Sequence, residues 1–287
     1  MAIEIARKIK GEIINADSMQ VYKEFSILSS RPTKTDLKKV KHHLYGFQPA
    51  KKHFSTGIWL KLVKKQVNIC LKNKRIPILV GGTGLYFEAI TKGISKIPNI
   101  DHKVRDETRK LQKKIGQKKF YEKLLTLDSL VENRIDPFDT QRSIRAYEVK
   151  KFTKKSMFEW YKLTKSKFKK FQIIKIFIDV PRKKLLKNIS SRADQMFKND
   201  CVKEVNFFLR LNVDPSLSVN KIIGVREIKD YLTGNLSLTQ AKELINIKTR
   251  QYAKRQVTWA RGHMPDWNKL YSKSFTSLSK KILKVIS

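Results

Sequence analysis

The sequence has 287 residues, 40% of them apolar, and carries 63 Lys and Arg against 25 Asp and Glu, a formal net charge of +38. That length buries a full core and fits one large domain or two smaller ones. The surplus attracts polyanions and puts nucleic acid first among partners, although a Lys-rich composition accounts for it equally well. Cys70 and Cys201 stand alone, with no CxxC, and read as small core residues of a reducing compartment. His42-His43 lacks a Cys or carboxylate partner at ligand spacing, so no metal site is expected there. No apolar run reaches the roughly 18 residues that span a bilayer. The first residues, MAIEIARKIKGE, lack a signal-peptide core. The expectation is a cytoplasmic protein with no membrane partner; a monomer is the working expectation.

In chain order, Ala2–Lys10 has helical spacing and stops at Gly11. Glu12–Ala16 reads as a buried strand that ends abruptly at Asp17-Ser18. Ser55 or Thr56 caps a helix to Lys74, with Trp59, Leu62, Val63, Gln66, Val67 and Cys70 on one face. Ile76–Val80 is a second strand, so strand, helix and strand follow the logic of a parallel sheet. From Asp101 the strands disappear: Asp101–Lys114, Phe120–Leu125, Asp128–Ile135 and Thr140–Phe152 read as helices. Phe171–Val180 is β-rich, and Pro181 suits the first turn of the next helix. Helices follow at Lys183–Phe197, Val202–Leu211, Arg226–Leu232 and Ser237–Arg261, then a strand at Lys269–Tyr271 and a closing helix at Thr276–Ile286. The predicted architecture is α/β, a small parallel sheet with a large helical addition. Its parts are a core over 1–100, a helical region over 101–170, and a core strand with further helices over 171–287.

Ligands of open α/β sheets bind outside the carboxyl ends of the strands. Two such ends carry chemistry here. Asp17, Ser18, Gln20 and Tyr22 follow the first, and Gly81-Gly82-Thr83-Gly84 follows the second. A strand-end Asp is more often a turn or cap residue. Adjacent glycines admit a phosphate to backbone N–H groups, but tight packing explains them equally well. Arg142 and Arg145 share a helical face, as do Lys254, Thr258 and Arg261 with Trp259 beside them. Guanidinium groups bind phosphates and an aromatic stacks on an unpaired base, whereas the default for such a face is plain solvation. Residues 150–170 interleave lysines with Phe152, Phe158, Trp160, Tyr161 and Phe168, most of which are expected to dock on the core.

GEIINADSMQVY, VGGTGLYF, DTQRSIRAYEV, IIGVREI and AKRQVTWARG, in this order, resemble the tRNA dimethylallyltransferases. The resemblance runs from residue 2 nearly to the end. It implies a P-loop-kinase-like core carrying a helical domain that embraces the tRNA anticodon stem-loop. The implied reaction moves a dimethylallyl group from dimethylallyl diphosphate to the exocyclic N6 amine of the adenosine 3′ of the anticodon. By resemblance, Asp17 is the base and Thr83 supplies a hydroxyl to the leaving diphosphate, together with Gly81 and Gly82. Mg2+ would accompany the diphosphate as cofactor, with no protein metal ligand assigned. The tRNA-contacting positions implied are Asp17, Ser18, Met19 and Gln20; Arg105; Gln141, Arg142, Ser143, Ile144 and Arg145; Lys221, Gly224 and Arg226; and Lys254, Arg255, Gln256, Thr258, Trp259 and Arg261.

The sequence departs from the family in one respect. Members begin with a strand and a G-x-x-x-x-G-K-[ST] loop, which cradles the diphosphate. Neither that loop nor a partner strand for Glu12–Ala16 is found in these 287 residues. Two expectations follow: a start upstream of Met1 or a lost 5′ end, and poor transfer or none by the chain as it stands. The alternative reading is a remnant that binds tRNA without modifying it.

Overall fold

The computed structural model describes residues 1–271 and 275–286. Two compact units emerge, one from Met1–Glu88 with Phe171–Ser287 and one from Ala89–Lys170.

The first unit opens with α1 (Ala2–Lys8) and β1 (Gly11–Asn15). Then come α2 (Lys34–Lys39), β2 (His42–His43), α3 (Thr56–Lys72), β3 (Ile76–Val80) and α4 (Gly84–Thr91), which runs across the unit boundary. β1 lies between β2 and β3, parallel to both, with Ile13 opposite His42 and Ile78. The expected missing partner for Glu12–Ala16 is therefore corrected. β1 is paired on both sides, and its five residues are buried because they form the middle of the sheet. α3 lays Trp59, Val63, Val67 and Cys70 inward, as its spacing predicts, and Ser55 caps it by accepting from Ile58 N–H.

The second unit is helical: α5 (His102–Leu127), α6 (Thr140–Thr153) and α7 (Met157–Lys162). α5 joins the two predicted helices, with a break at Gly116, whose φ of +76° suits a residue without Cβ. Its core gathers Phe120, Leu124, Val131, Ala146, Val149 and Met157. Of the aromatics in 150–170, Phe158 and Trp160 pack against that core and Phe168 is buried.

The chain then completes the first unit with β4 (Ile176–Asp179), α8 (Arg182–Lys198), α9 (Cys201–Arg210), α10 (Val225–Leu232), α11 (Leu238–His263), β5 (Asn268–Tyr271) and α12 (Phe275–Ile286). β4 and β5 pair in parallel as a separate ribbon. Ile5, Leu278 and Ile282 form a cluster against which Ile78 of β3 and Ile176 and Ile178 of β4 pack.

Four elements differ from expectation. Asp128–Ile135 is not a helix but one 3-10 turn at Ser129–Val131. The β-rich run 171–180 is strand only over Ile176–Asp179, because its partner β5 supplies just four residues. Helices α2 and α7 were not anticipated, yet each carries a capping box, Thr33 with Asp36 and Ser156 with Glu159. Among the described residues no helix is long and apolar enough to cross a membrane.

Candidate active site at the strand ends

The chain leaves β1 through a turn that Asn15 holds. This buried amide accepts the Asp17 N–H at 2.8 Å and donates to the carbonyls of Asp17 (2.9 Å) and Leu44 (3.0 Å). Trp59 Nε1 donates to the Asn15 carbonyl at 2.9 Å, so α3 fixes the same corner. The Asp17 carboxylate accepts the Met19 N–H at 2.8 Å. An Asx turn thus orients it, as the bland reading of a strand-end Asp foresees, but the carboxylate is also half-buried and faces a cation.

Beside it, β3 runs into the glycine turn. Thr83 joins the two strand ends: its N–H donates to the Ala16 carbonyl at 3.2 Å, and its Oγ1 accepts the Ser18 N–H at 2.9 Å. Thr83 Oγ1 in turn donates to Ser18 Oγ at 3.2 Å. Ser18 and Thr83, 65 residues apart in sequence, therefore share one corner with Asp17. Packing explains the glycines. A Cβ on Gly81 would lie 2.1 Å from the Ala16 carbonyl carbon, and one on Gly84 would lie 2.3 Å from the Trp259 ring. Gln256 Nε2 donates to the Gly82 carbonyl at 2.9 Å. Two residues implied as tRNA contacts, Gln256 and Trp259, thus brace the turn from α11; Trp259 also stacks on His263 with ring centroids 4.4 Å apart.

Sequence reasoning missed the cation. Arg192 on α8 is set by the Leu28 carbonyl at 3.3 Å, and its charge acts on Asp17. Burial raises the Asp17 pKa above its ordinary value; the Met19 and Gln20 amides and Arg192 offset part of that rise. Burial lowers the Arg192 pKa while the charge of Asp17 raises it. Burial, and then the Asp17 charge, also raise the phenols of Tyr45 and Tyr252. Tyr86, likewise raised, stacks on Trp59 at 3.9 Å. A half-buried carboxylate, two hydroxyls, a guanidinium and aromatic rings make a corner suited to proton acceptance beside a large planar group. Nothing in local sequence spacing announces Arg192, Tyr45 or Tyr252; only the fold gathers them.

The other expected positions divide. Gln20 turns back and donates to the Ser29 (2.9 Å) and Ser30 (3.2 Å) carbonyls, and Met19 is half-buried. Lys254, Arg255, Thr258 and Arg261 lie exposed along α11. Lys221 and Arg226 are exposed at either side of Gly224, whose φ of +107° starts α10. A Cβ there would meet Leu28 Cδ2 at 2.8 Å. In the helical unit, Gln141 and Arg142 are exposed at the start of α6, with Arg142 Nη1 3.4 Å from Asp139. Ser143 is buried and accepts from Gln117 at 3.2 Å, and Ile144 packs on the helical core. Arg105 and Arg145, with Arg109, surround the buried Glu148, whose Oε2 lies 3.5 Å from Arg145 Nη1. Burial raises the Glu148 pKa, and those three arginines counter it.

Away from the strand ends, β1 carries a second carboxylate. Glu12 Oε2 lies 2.6 Å from His43 Nε2 and accepts from Cys70 Sγ at 3.4 Å. The sequence showed no partner for His43 because these ligands come from three elements. Their ligating atoms lie within 4.8 Å of one another. The short contacts make this a hydrogen-bonded set with the carboxylate as common acceptor.

Comparison with known proteins places the chain in a family. A family model described as IPP transferase matches residues 20–263. A tRNA dimethylallyltransferase of Pelagibacter ubique is 52% identical over 269 residues, covering 94% of this chain and 86% of that protein. One of Rickettsia felis is 40% identical, covering 92% and 85%. A tRNA isopentenylpyrophosphate transferase crystal structure from Bacillus halodurans superposes with a TM-score of 0.69 at 28% identity, covering 99% of this chain and 90% of that one. A eukaryotic dimethylallyltransferase acting on tRNA shares the fold, with a TM-score of 0.81 at 22% identity over 99% and 73% of the two chains. The chain belongs to the IPP transferase family.

Proposed function

We propose that this chain transfers a dimethylallyl group from dimethylallyl diphosphate to the exocyclic N6 amine of the adenosine 3′ of the anticodon in tRNA. Family membership supports the transferase class and the tRNA substrate. One observation carries the chemistry: a single half-buried carboxylate, Asp17, stands at the corner that Thr83 joins, with the Arg192 cation beside it.

The amine is a poor nucleophile because its lone pair is delocalised into the purine. Asp17 accepts a hydrogen bond from it, orients it and takes its proton as the new bond to the allylic carbon forms. The carbon–oxygen bond to diphosphate breaks in the same event, and the electron pair leaves with the diphosphate. Its raised pKa brings Asp17 nearer to the operating pH, which makes it the better base. Thr83 and Ser18 offer hydroxyls to the departing oxygens, and Arg192 offers charge. The adenosine must leave its stack to reach Asp17, and the half-buried rings of Tyr45 and Tyr252 suit a planar base.

The residues at this corner do not make a protein-held magnesium site. They offer two hydroxyls and one carboxylate that already accepts an amide. Magnesium would be held by the diphosphate's own oxygens and by water, and no step here runs through it.

The test is prenyl transfer to an anticodon stem-loop, followed by mass spectrometry, for the parent chain and Asp17→Asn. Transfer by the parent and its loss in the variant are expected. Stem-loop binding with no transfer by the parent would favour the tRNA-binding remnant.

A further inference from the structure

Glu204 sits on α9, where an exposed-face glutamate is ordinarily solvated. Here it is not. Its Oε1 accepts the Ser26 N–H at 2.6 Å, the Ile27 N–H at 2.8 Å and the Ser26 hydroxyl at 3.1 Å. Its Oε2 accepts the Leu28 N–H at 2.9 Å. Four donors from one short turn thus converge on a carboxylate that is 176 to 178 residues away in sequence. Bonds to an ionised acceptor are about twice as strong as neutral ones. One helical turn on, Phe208 packs at 4.7 Å against Phe25, which begins the same turn, with the rings tilted by 55°. α9 therefore grips this loop by an apolar and an ionic contact together.

The other side of the loop faces the candidate site. The Leu28 carbonyl accepts Arg192 Nη2, and the Ser29 and Ser30 carbonyls accept Gln20 Nε2. The Leu28 side chain is buried beside Gly224. Gln20, three residues on from Asp17, and Arg192, on the distant α8, both take their positions from carbonyls of one turn.

We propose that Glu204 is a positioning residue for the transfer reaction: by fixing the amides of residues 26–28 it sets the carbonyls that hold Arg192 and Gln20 beside Asp17. The proposal rests on the function proposed above. Glu204 touches no reacting atom. Without it three backbone N–H donors of the turn lose their acceptor at once, and Arg192 no longer has a fixed anchor. A glutamine at 204 keeps the volume but turns a donor toward an N–H, so the clamp fails without leaving a cavity.

The test uses the full chain and Glu204→Gln, Arg192→Lys and the double variant. Glu204→Gln is expected to slow single-turnover transfer by about 10- to 100-fold, the range that a misplacement of about 1 Å costs. Its KM for the anticodon stem-loop should stay within about twofold, because the exposed basic faces are untouched. In the Arg192→Lys background the same change should cost less than about twofold, since the two residues act as a unit. Hydrogen exchange at amides 26–28 should be slow in the parent and at least about tenfold faster in Glu204→Gln, with α9 amides unchanged. Equal losses in both backgrounds, or a rate within twofold of the parent, would overturn the proposal. So would freely exchanging amides at 26–28 in the parent chain, a measurement that needs neither a folded variant nor turnover. A parent chain with protected amides and no transfer overturns the function reading and leaves no reaction for Glu204 to position, whereas a clamp that fails beside a working enzyme overturns this proposal alone.

Discussion

One strand carries two carboxylates with opposite fates. Glu12, near the start of β1, is opposed by burial, yet His43, Cys70 and Lys41 outweigh that cost and hold its carboxyl below the usual range. Asp17, just past the end of the same strand, meets the same opposition with less help, and its pKa rises. A saturated buried anion is a fastening, whereas an under-compensated one remains available to take a proton. The contrast separates the part of the sheet that holds the fold from the part that does chemistry, within six residues of sequence.

The largest expected effect is on Asp17. Asp17→Asn should lower transfer by about 10³-fold, within the span of general-base contributions. It should also raise the melting temperature at neutral pH. A carboxyl whose folded pKa is raised contributes its stability below the ordinary carboxylate range and loses it as pH rises through the folded value. At pH 7 the charge is therefore a burden that asparagine removes. Calorimetry in a pH series should show the gap closing toward acid; a variant that melts lower throughout would break the comparison.

Next comes the backbone that keeps Asp17 beside Thr83. Gly81→Ala puts a Cβ 2.1 Å from the Ala16 carbonyl carbon. An overpacked contact of this kind costs about 1–3 kcal/mol. Denaturant titration should show that loss together with slower transfer, because the two strand ends must part.

Glu12→Gln should do the reverse of Asp17→Asn. A carboxyl with a lowered folded pKa contributes stability above the ordinary range and loses it as pH falls through the folded value. The variant should lose about 1–2 kcal/mol near neutrality, where a charged hydrogen-bond acceptor is removed, and should converge on the parent in acid. Transfer should be unaffected apart from stability.

The smallest effect belongs to Arg142, which lies at the surface while Arg105, Arg109 and Arg145 ring Glu148. Arg142→Ala should leave stability within about 0.5 kcal/mol. It should lower the slope of log affinity for the stem-loop against log salt by about one. An unchanged slope would exclude that side chain from the RNA surface.

The sequence made the helices legible where spacing was long and regular, as in α3 and α11, and made the strand ends legible through the abrupt change from Ile14 to Asp17. It did not disclose α2 and α7, which are only six residues each and rest on capping boxes rather than periodicity. The site was half readable. Asp17, Asn15, Thr83, Tyr86 and the glycines sit in local motifs, but Arg192, Tyr45 and Tyr252 enter only when distant elements meet. Gln256 and Trp259 were visible as a motif whose structural work, bracing the glycine turn, no spacing could reveal. The Glu12 set shows the same limit in reverse. His43 looks partnerless in sequence because its neighbours in space lie 31 and 27 positions away along the chain.

The two thiols have a practical consequence. Cys70 and Cys201 are buried, and burial pushes each up to about 11. At neutral pH almost no thiolate exists at either position, and maleimides react with thiolates that solvent can reach. A cysteine introduced on the surface, for instance at Phe138, which is 86% exposed, would take a fluorophore selectively. Site-specific labelling of the native background should therefore proceed without first deleting either natural cysteine.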